Sequence, residues 1–220
     1  LTRLYFVRHG KTQWNLEGRY QGANGDSPLL PESFDQIHQL AQYLKKVPFA
    51  HAYVSPLPRA KTTANVLLKD LAQAIPVTVT VGMREFDLGK MEGLKFTEVA
   101  EKYPDALHAF RHAPGEYHAE EVAGESFEAL IKRMQPVVLD AVRADTTGTA
   151  NLLFVSHGAA LVALIQSLLG TPIKDMRKDG GLTNSSVTIL EAHGPNLPFT
   201  LLKWNDTEFL TKPLEATDTI

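Results

Sequence analysis

Leu4-Tyr5-Phe6-Val7-Arg8-His9-Gly10 and, much later, Leu152-Leu153-Phe154-Val155-Ser156-His157-Gly158 are two versions of one phrase, a short apolar run closing on His-Gly. Four consecutive apolar residues read as a strand buried on both faces, and a small residue directly after the histidine lets the chain turn sharply. Both histidines therefore stand at strand C-termini, the edge where open α/β sheets bind ligands, and two strands ending alike predict two imidazoles facing one crevice. His-Gly alone is a common dipeptide. Arg8 and Thr12 around the first copy make that copy far less ordinary.

Working outward, residues 11–31 are rich in Gly, Asn, Gln and Asp and read as a long functional loop. Apolar residues at helical spacing predict helices over 32–46, 59–74, 126–141 and 159–169, with Ser126 as an N-cap. Strands are expected at 51–55, 77–81, 187–190 and 199–204, the last at a sheet edge. Residues 98–110 read as short helices and 112–124 as a mobile excursion. Alternating strands and helices predict a three-layer α/β/α sandwich with a mostly parallel sheet. No linker or composition shift divides 1–220, so a single domain is expected, with 86–124 as a lid.

The chain is 44% hydrophobic and 21% charged, with a formal net charge of −3, which gives no reason to expect nucleic acid or an anionic membrane as a partner. It has no cysteine, which removes disulfides, zinc–thiolate sites and cysteine-nucleophile mechanisms and fits a cytoplasmic location. No apolar run is long enough to span a bilayer, and Leu1-Thr2-Arg3 leads straight into the first strand with no signal peptide.

Further pieces follow in order: Trp14-Asn15, Gly18-Arg19-x-Gln21-Gly22, Asp26-Ser27-Pro28-Leu29, Ser55-Pro56-Leu57-x-Arg59-Ala60-x-x-Thr63-Ala64, Arg84-Glu85-x-x-x-Gly89-x-x-Glu92-Gly93, Gly124-Glu125-Ser126 and Asn184. Together with Arg8-His9-Gly10-x-Thr12 and Ser156-His157-Gly158 they resemble the histidine phosphatase superfamily along nearly the whole chain. That group includes cofactor-dependent phosphoglycerate mutase and many small phosphomonoesterases. Each piece alone is weak, but their shared order is specific.

The chemistry can be argued from the residues as well. Phosphoryl transfer needs the charge on the equatorial oxygens held by fixed cations while entering and leaving groups lie in line. Arg8 and Arg59 can grip phosphate with planar forks, and His157, if protonated, adds a third donor. This leaves His9 as nucleophile, attacking through one ring nitrogen while the other keeps its proton. The resemblance implies the same four roles. Glu85 is expected to protonate the leaving group and then activate water, its pKa raised by like-charge repulsion beside phosphate. By resemblance it also holds the family's general-acid position, and its rival Glu92 reads as structural. Asn15 and Gln21 read as neutral donors to phosphate or substrate, with loop-stabilising amides as the competing reading, and Gly22 joins the phosphate-binding set. Trp14 reads as packing under the loop.

The same pocket serves a phosphatase or a mutase, according to what accepts the phosphoryl group. Three departures favour a phosphatase over the mutases this chain resembles. The segment after the acid motif has only Lys95, Lys102 and an isolated Arg111 instead of paired arginines. The motif reads Arg84-Glu85-Phe86-Asp87 rather than Glu-Arg-His-Tyr, and Ala159 stands where mutases place Asn. The expectation is a phosphomonoesterase acting on a small phosphorylated metabolite through a phosphohistidine. The alternatives are a phosphoglycerate mutase or a non-catalytic binding module. No metal or other cofactor is expected, 2,3-bisphosphoglycerate being needed only by a mutase. His108, His112 and His118 read as solvated surface, Arg111 as a contact for a second anionic group of the substrate, and a homodimer is what the resemblance suggests.

Overall fold

The computed structural model describes residues 1–219. Along them run β1 (Thr2–Arg8), α1 (Gln13–Glu17), α2 (Pro31–Leu44), β2 (Phe49–Val54), α3 (Pro58–Leu71), β3 (Val77–Val79), α4 (Phe96–Lys102), α5 (Pro104–His112), α6 (Phe127–Ala144), β4 (Asn151–Ser156), α7 (Gly158–Leu168), β5 (Val187–Ala192) and β6 (Thr200–Asp206). The sheet order is β3-β2-β4-β1-β5-β6; the first four strands are parallel, β5 runs antiparallel to β1, and β6 runs antiparallel to β5. No helix among the described residues is long and apolar enough to cross a membrane.

The two apolar phrases pair with each other. β1 and β4 are parallel neighbours in unbroken register, from Arg3 opposite Asn151 to Arg8 opposite Ser156. Period-two alternation sends Leu4, Phe6, Leu152 and Phe154 to one face of the sheet and Tyr5, Val7, Leu153 and Val155 to the other. The first set packs with α6, α7 and residues 86–122, the second with α2 and α3, so each strand is buried on both sides.

Three expectations change. The 11–31 loop contains α1, because Thr12 and Asn15 form a reciprocal capping box and Gly18 closes the helix in the left-handed region at φ 68°. The 77–81 strand stops at Val79, and Thr80 caps a 3₁₀ turn over Val81–Met83. Residues 112–124 are two 3₁₀ turns (Pro114–Glu116 and Ala119–Val122) whose Tyr117, Ala119 and Val122 are buried. The Pro, Gly and His content of that stretch suggested an excursion, but its apolar residues join Phe86, Phe110 and Phe127 in one aromatic cluster, with ring centroids 5.0–5.7 Å apart.

Candidate active site

Because β1 and β4 end level, His9 and His157 leave the sheet side by side, with ring centroids 5.2 Å apart. His9 Nδ1 bonds to the Gly10 carbonyl at 2.7 Å. A carbonyl only accepts, so the proton is on Nδ1 and the lone pair of the neutral ring is on Nε2. Burial, then Arg59 and Arg8, hold the His9 pKa well below its usual value. His157 is fully buried, with Nε2 2.7 Å from Ser55 Oγ and no partner for Nδ1. Burial first, and then Arg59, keep it neutral as well.

The two arginines are arranged differently from the predicted forks. Arg8 Nη1 donates to the carbonyls of Leu182 and Asp218. Arg59 donates from Nη1 to Gly25 O and Asp26 Oδ1 and from Nη2 to Gln21 O and Gly22 O. In both, Nε is buried without a partner. The outer nitrogens of Arg59 thus hold the 21–26 loop in place. Burial lowers Arg8 to about 10, which leaves it cationic at neutral pH. Arg8 lies directly on the start of α7, since a Cβ at residue 158 would stand 2.9 Å from its Nε. Any larger residue at this position would push the Arg8 guanidinium aside.

Glu85 follows the Val81–Met83 turn and reaches the N-terminus of α7. Its Oε1 accepts from the backbone N–H groups of Phe86 and Ala160, both at 2.8 Å, and Oε2 accepts from Ala159 at 3.2 Å. Burial raises its pKa, and these N–H groups together with Arg59 and Arg8 oppose the rise. The cause in the free protein is therefore desolvation, not the like-charge repulsion expected beside phosphate.

Arg8, His9, Asn15, Gln21, Glu85 and Gly158 line one cavity with Tyr20, Leu88, Phe110 and Ala159. Arg59 and His157 are not among the lining residues. Asn15 Oδ1 accepts from Thr12 N and Asn184 Nδ2, which leaves its Nδ2 without a protein partner among the described residues. Gln21 is tied to Thr12 and Ser27, the loop-stabilising reading, while also facing the cavity. Gly22 does not face it. Its N–H goes to Glu92 Oε1 at 2.6 Å and its carbonyl to Arg59, and a Cβ there would stand 2.5 Å from both Glu92 Oε2 and Phe86 O. Its place in the phosphate-binding set is thus corrected: close packing, not ligand contact, requires the glycine. Glu92 has the structural position predicted for it, and Trp14 packs under Gly25 and Gly93.

Several contributors escaped sequence reasoning. Tyr20, which lines the cavity, sits in the variable position between Arg19 and Gln21, and Ser55, which bonds to His157, opens the Ser55-Pro56-Leu57 motif as an ordinary small polar residue. Asp218 accepts from Arg8 through its carbonyl and forms a buried ion pair with Lys11 Nζ at 2.7 Å, and no local pattern signals such a meeting across the whole chain. His108 and His112 lie together on α5 away from the cavity, and His118 is exposed. No group of three or more His, Cys, Asp or Glu side chains among the described residues is placed to hold a metal ion.

A sheet edge that presents paired imidazoles, buried arginines and a buried carboxyl has the makings of a phosphoryl-transfer site, and the family comparison agrees. The chain belongs to the histidine phosphatase superfamily (branch 1), whose model matches residues 4–207. It is 33% identical over 172 residues to the broad-specificity phosphatase YOR283W of Saccharomyces cerevisiae, covering 76% of this chain and 70% of that one. It is 31% identical over 166 residues to the 2,3-bisphosphoglycerate-dependent phosphoglycerate mutase of Cytophaga hutchinsonii, covering 75% and 76% of the two chains. Among solved structures, YhfR of Bacillus stearothermophilus superposes with a TM-score of 0.85 at 31% identity, covering 95% of this chain and 99% of that one.

Proposed function

We propose that this protein is a phosphomonoesterase that hydrolyses a small phosphorylated metabolite through a phosphohistidine on His9, without metal or added cofactor. The observation that carries the reading is the His9 Nδ1 bond to the Gly10 carbonyl, which leaves the Nε2 lone pair as the free nucleophile at the cavity. Nε2 attacks phosphorus as the ester P–O bond breaks, and the leaving oxygen takes the proton of the Glu85 carboxyl. The Glu85 carboxylate then removes a proton from water. The water oxygen attacks phosphorus, the P–Nε2 bond breaks, and phosphate leaves with His9 neutral again.

Arg8 and Arg59 supply positive charge beside the transferring group. Arg8 lines the cavity and its Nη2, which makes no protein hydrogen bond among the described residues, is the donor left for the phosphate, while Arg59, whose Nη groups hold the 21–26 loop, acts through its charge. His157 needs no extra proton in this scheme. With Ser55 donating its hydroxyl hydrogen to Nε2, the N–H of the neutral ring stays on Nδ1, the nitrogen that lacks a protein partner. Asn15 Nδ2 adds a neutral donor, and the 86–124 segment covers the site through Leu88 and Phe110.

Steady-state phosphate release from a panel of phosphomonoesters, with chelator present, tests the reading. Release that ignores chelator and is lost in His9→Ala is expected. Release that survives His9→Ala would overturn the nucleophile, and 2,3-bisphosphoglycerate-dependent interconversion of 3- and 2-phosphoglycerate without net hydrolysis would make the protein a mutase.

A further inference from the structure

Glu125 of the Gly124-Glu125-Ser126 motif does not line the catalytic cavity, and neither does its partner Arg133 on α6. The two form a bidentate pair, Arg133 Nε to Glu125 Oε2 at 2.7 Å and Nη2 to Oε1 at 2.8 Å, with side-chain exposures of only 18% and 13%. The remaining N–H groups of the guanidinium all point at one stretch of backbone. Nη1 donates to Gly82 O at 2.9 Å and to Arg84 O at 3.0 Å, and Nη2 donates to Glu85 O at 2.9 Å. Five donors thus meet five acceptors, so the planar fork is saturated.

That stretch needs outside support because it has left the sheet. Its carbonyls 82, 84 and 85 go to Arg133, and Met83 O accepts from Ser156 Oγ at 2.6 Å, at the end of β4. On the far side of Glu85, Asp87 O accepts the Glu125 N–H at 2.7 Å, and Asp87 N donates to Glu125 Oε1 at 3.4 Å. Close packing removes the remaining play: a Cβ at residue 82 would stand 2.6 Å from Val137 Cγ2 on α6, and one at residue 124 would stand 2.8 Å from Asp87 O. The backbone is therefore pinned on both sides of Glu85. A proton donor must keep its place to within about 0.5 Å, which a loop achieves only when its supporting contacts are fixed.

We propose that Arg133, oriented by Glu125, is a positioning residue for proton transfer: it fixes the backbone of Glu85 so that the carboxyl meets the leaving oxygen, without itself touching the substrate. The proposal rests on the reading of Glu85 as the proton donor.

The test compares kcat/KM, which covers the steps up to departure of the leaving group, for glycerol 3-phosphate and p-nitrophenyl phosphate. An alkyl leaving group needs the proton and a nitrophenolate hardly does. Arg133→Gln should lower the alkyl-to-aryl ratio about 10- to 100-fold, as a displaced acid would. In a Glu85→Gln background the same substitution should lower the ratio no further, since nothing is left to position. Arg133→Lys keeps a cation opposite Glu125 but cannot span three carbonyls, so it should fall between wild type and Arg133→Gln, and it carries the test where Arg133→Gln does not fold. A wild-type ratio in the folded Arg133 variants, or a further fall in the Glu85→Gln background, overturns the proposal. Glu85→Gln alone separates the two readings. Equal losses on both esters in that variant defeat the acid assignment itself, whereas a split there without one in the Arg133 variants defeats only the positioning.

Discussion

Glu92 offers a test of how the substrate loop is held. Its Oε1 accepts the Gly22 N–H at 2.6 Å, while Oε2 is buried without a partner. Burial raises its pKa from 4.5 to about 7; Glu85 and Asp87 push the same way, and the Gly22 N–H and Arg59 oppose them. A carboxyl that holds its proton more tightly when folded gives the native state the larger bound-proton count between those two values. Stability therefore falls as pH rises through that window and levels off above it. At roughly 1.4 kcal/mol per pH unit the full effect is on the order of 3 kcal/mol, and screening by water at this half-buried side chain reduces it to about 2 kcal/mol. Glu92→Gln keeps an acceptor for Gly22 and cannot ionise. Urea denaturation of both proteins between pH 4 and pH 8 should show the variant gaining about 2 kcal/mol relative to the wild type across the window, because the other titrating groups are common to both. A difference that stays constant with pH would refute the reasoning.

Two further substitutions probe the reaction centre. Glu85→Gln removes the transferable proton and presents an amide N–H₂ where backbone donors now point, so kcat for alkyl phosphates should fall about 10²- to 10⁴-fold, and less for an aryl phosphate with a good leaving group. Equal losses on the two esters would remove Glu85 as the general acid. Gly158→Ala places a methyl group 2.9 Å from Arg8 Nε and so displaces the guanidinium; inhibition by inorganic phosphate should weaken tenfold or more, alongside a stability loss of about 1–3 kcal/mol in thermal melts. Unaltered phosphate inhibition would show that Arg8 does not need its place against α7.

The sheet and its functional edge were legible because they rest on local patterns. The apolar phrases specify strands buried on both faces, and a turn residue after each histidine fixes where the ring leaves the sheet. The positions of Arg59 and Glu85 could be read from motifs, but the use of their atoms could not. That Arg59 would bond four partners in the 21–26 loop, or Glu85 meet the first amides of α7, depends on backbone carbonyls and amides whose placement has no signature in residue type. Composition misled at 112–124, where scattered apolar residues join a distant aromatic cluster. Arg133 and Asp218 were silent for a related reason: their partners, the carbonyls around Glu85 and Arg8, are far away in sequence and meet them only in the closed fold.

The unbroken pairing of β1 with β4 couples the two imidazoles to the hydrogen-bond ladder itself. A slip of one residue between these strands would carry one ring about 3.3 Å along the other and turn its strand's apolar side chains toward the wrong layer. Misplacing the histidines thus means misfolding the core. Quality control of the fold therefore acts on the reaction centre at the same time.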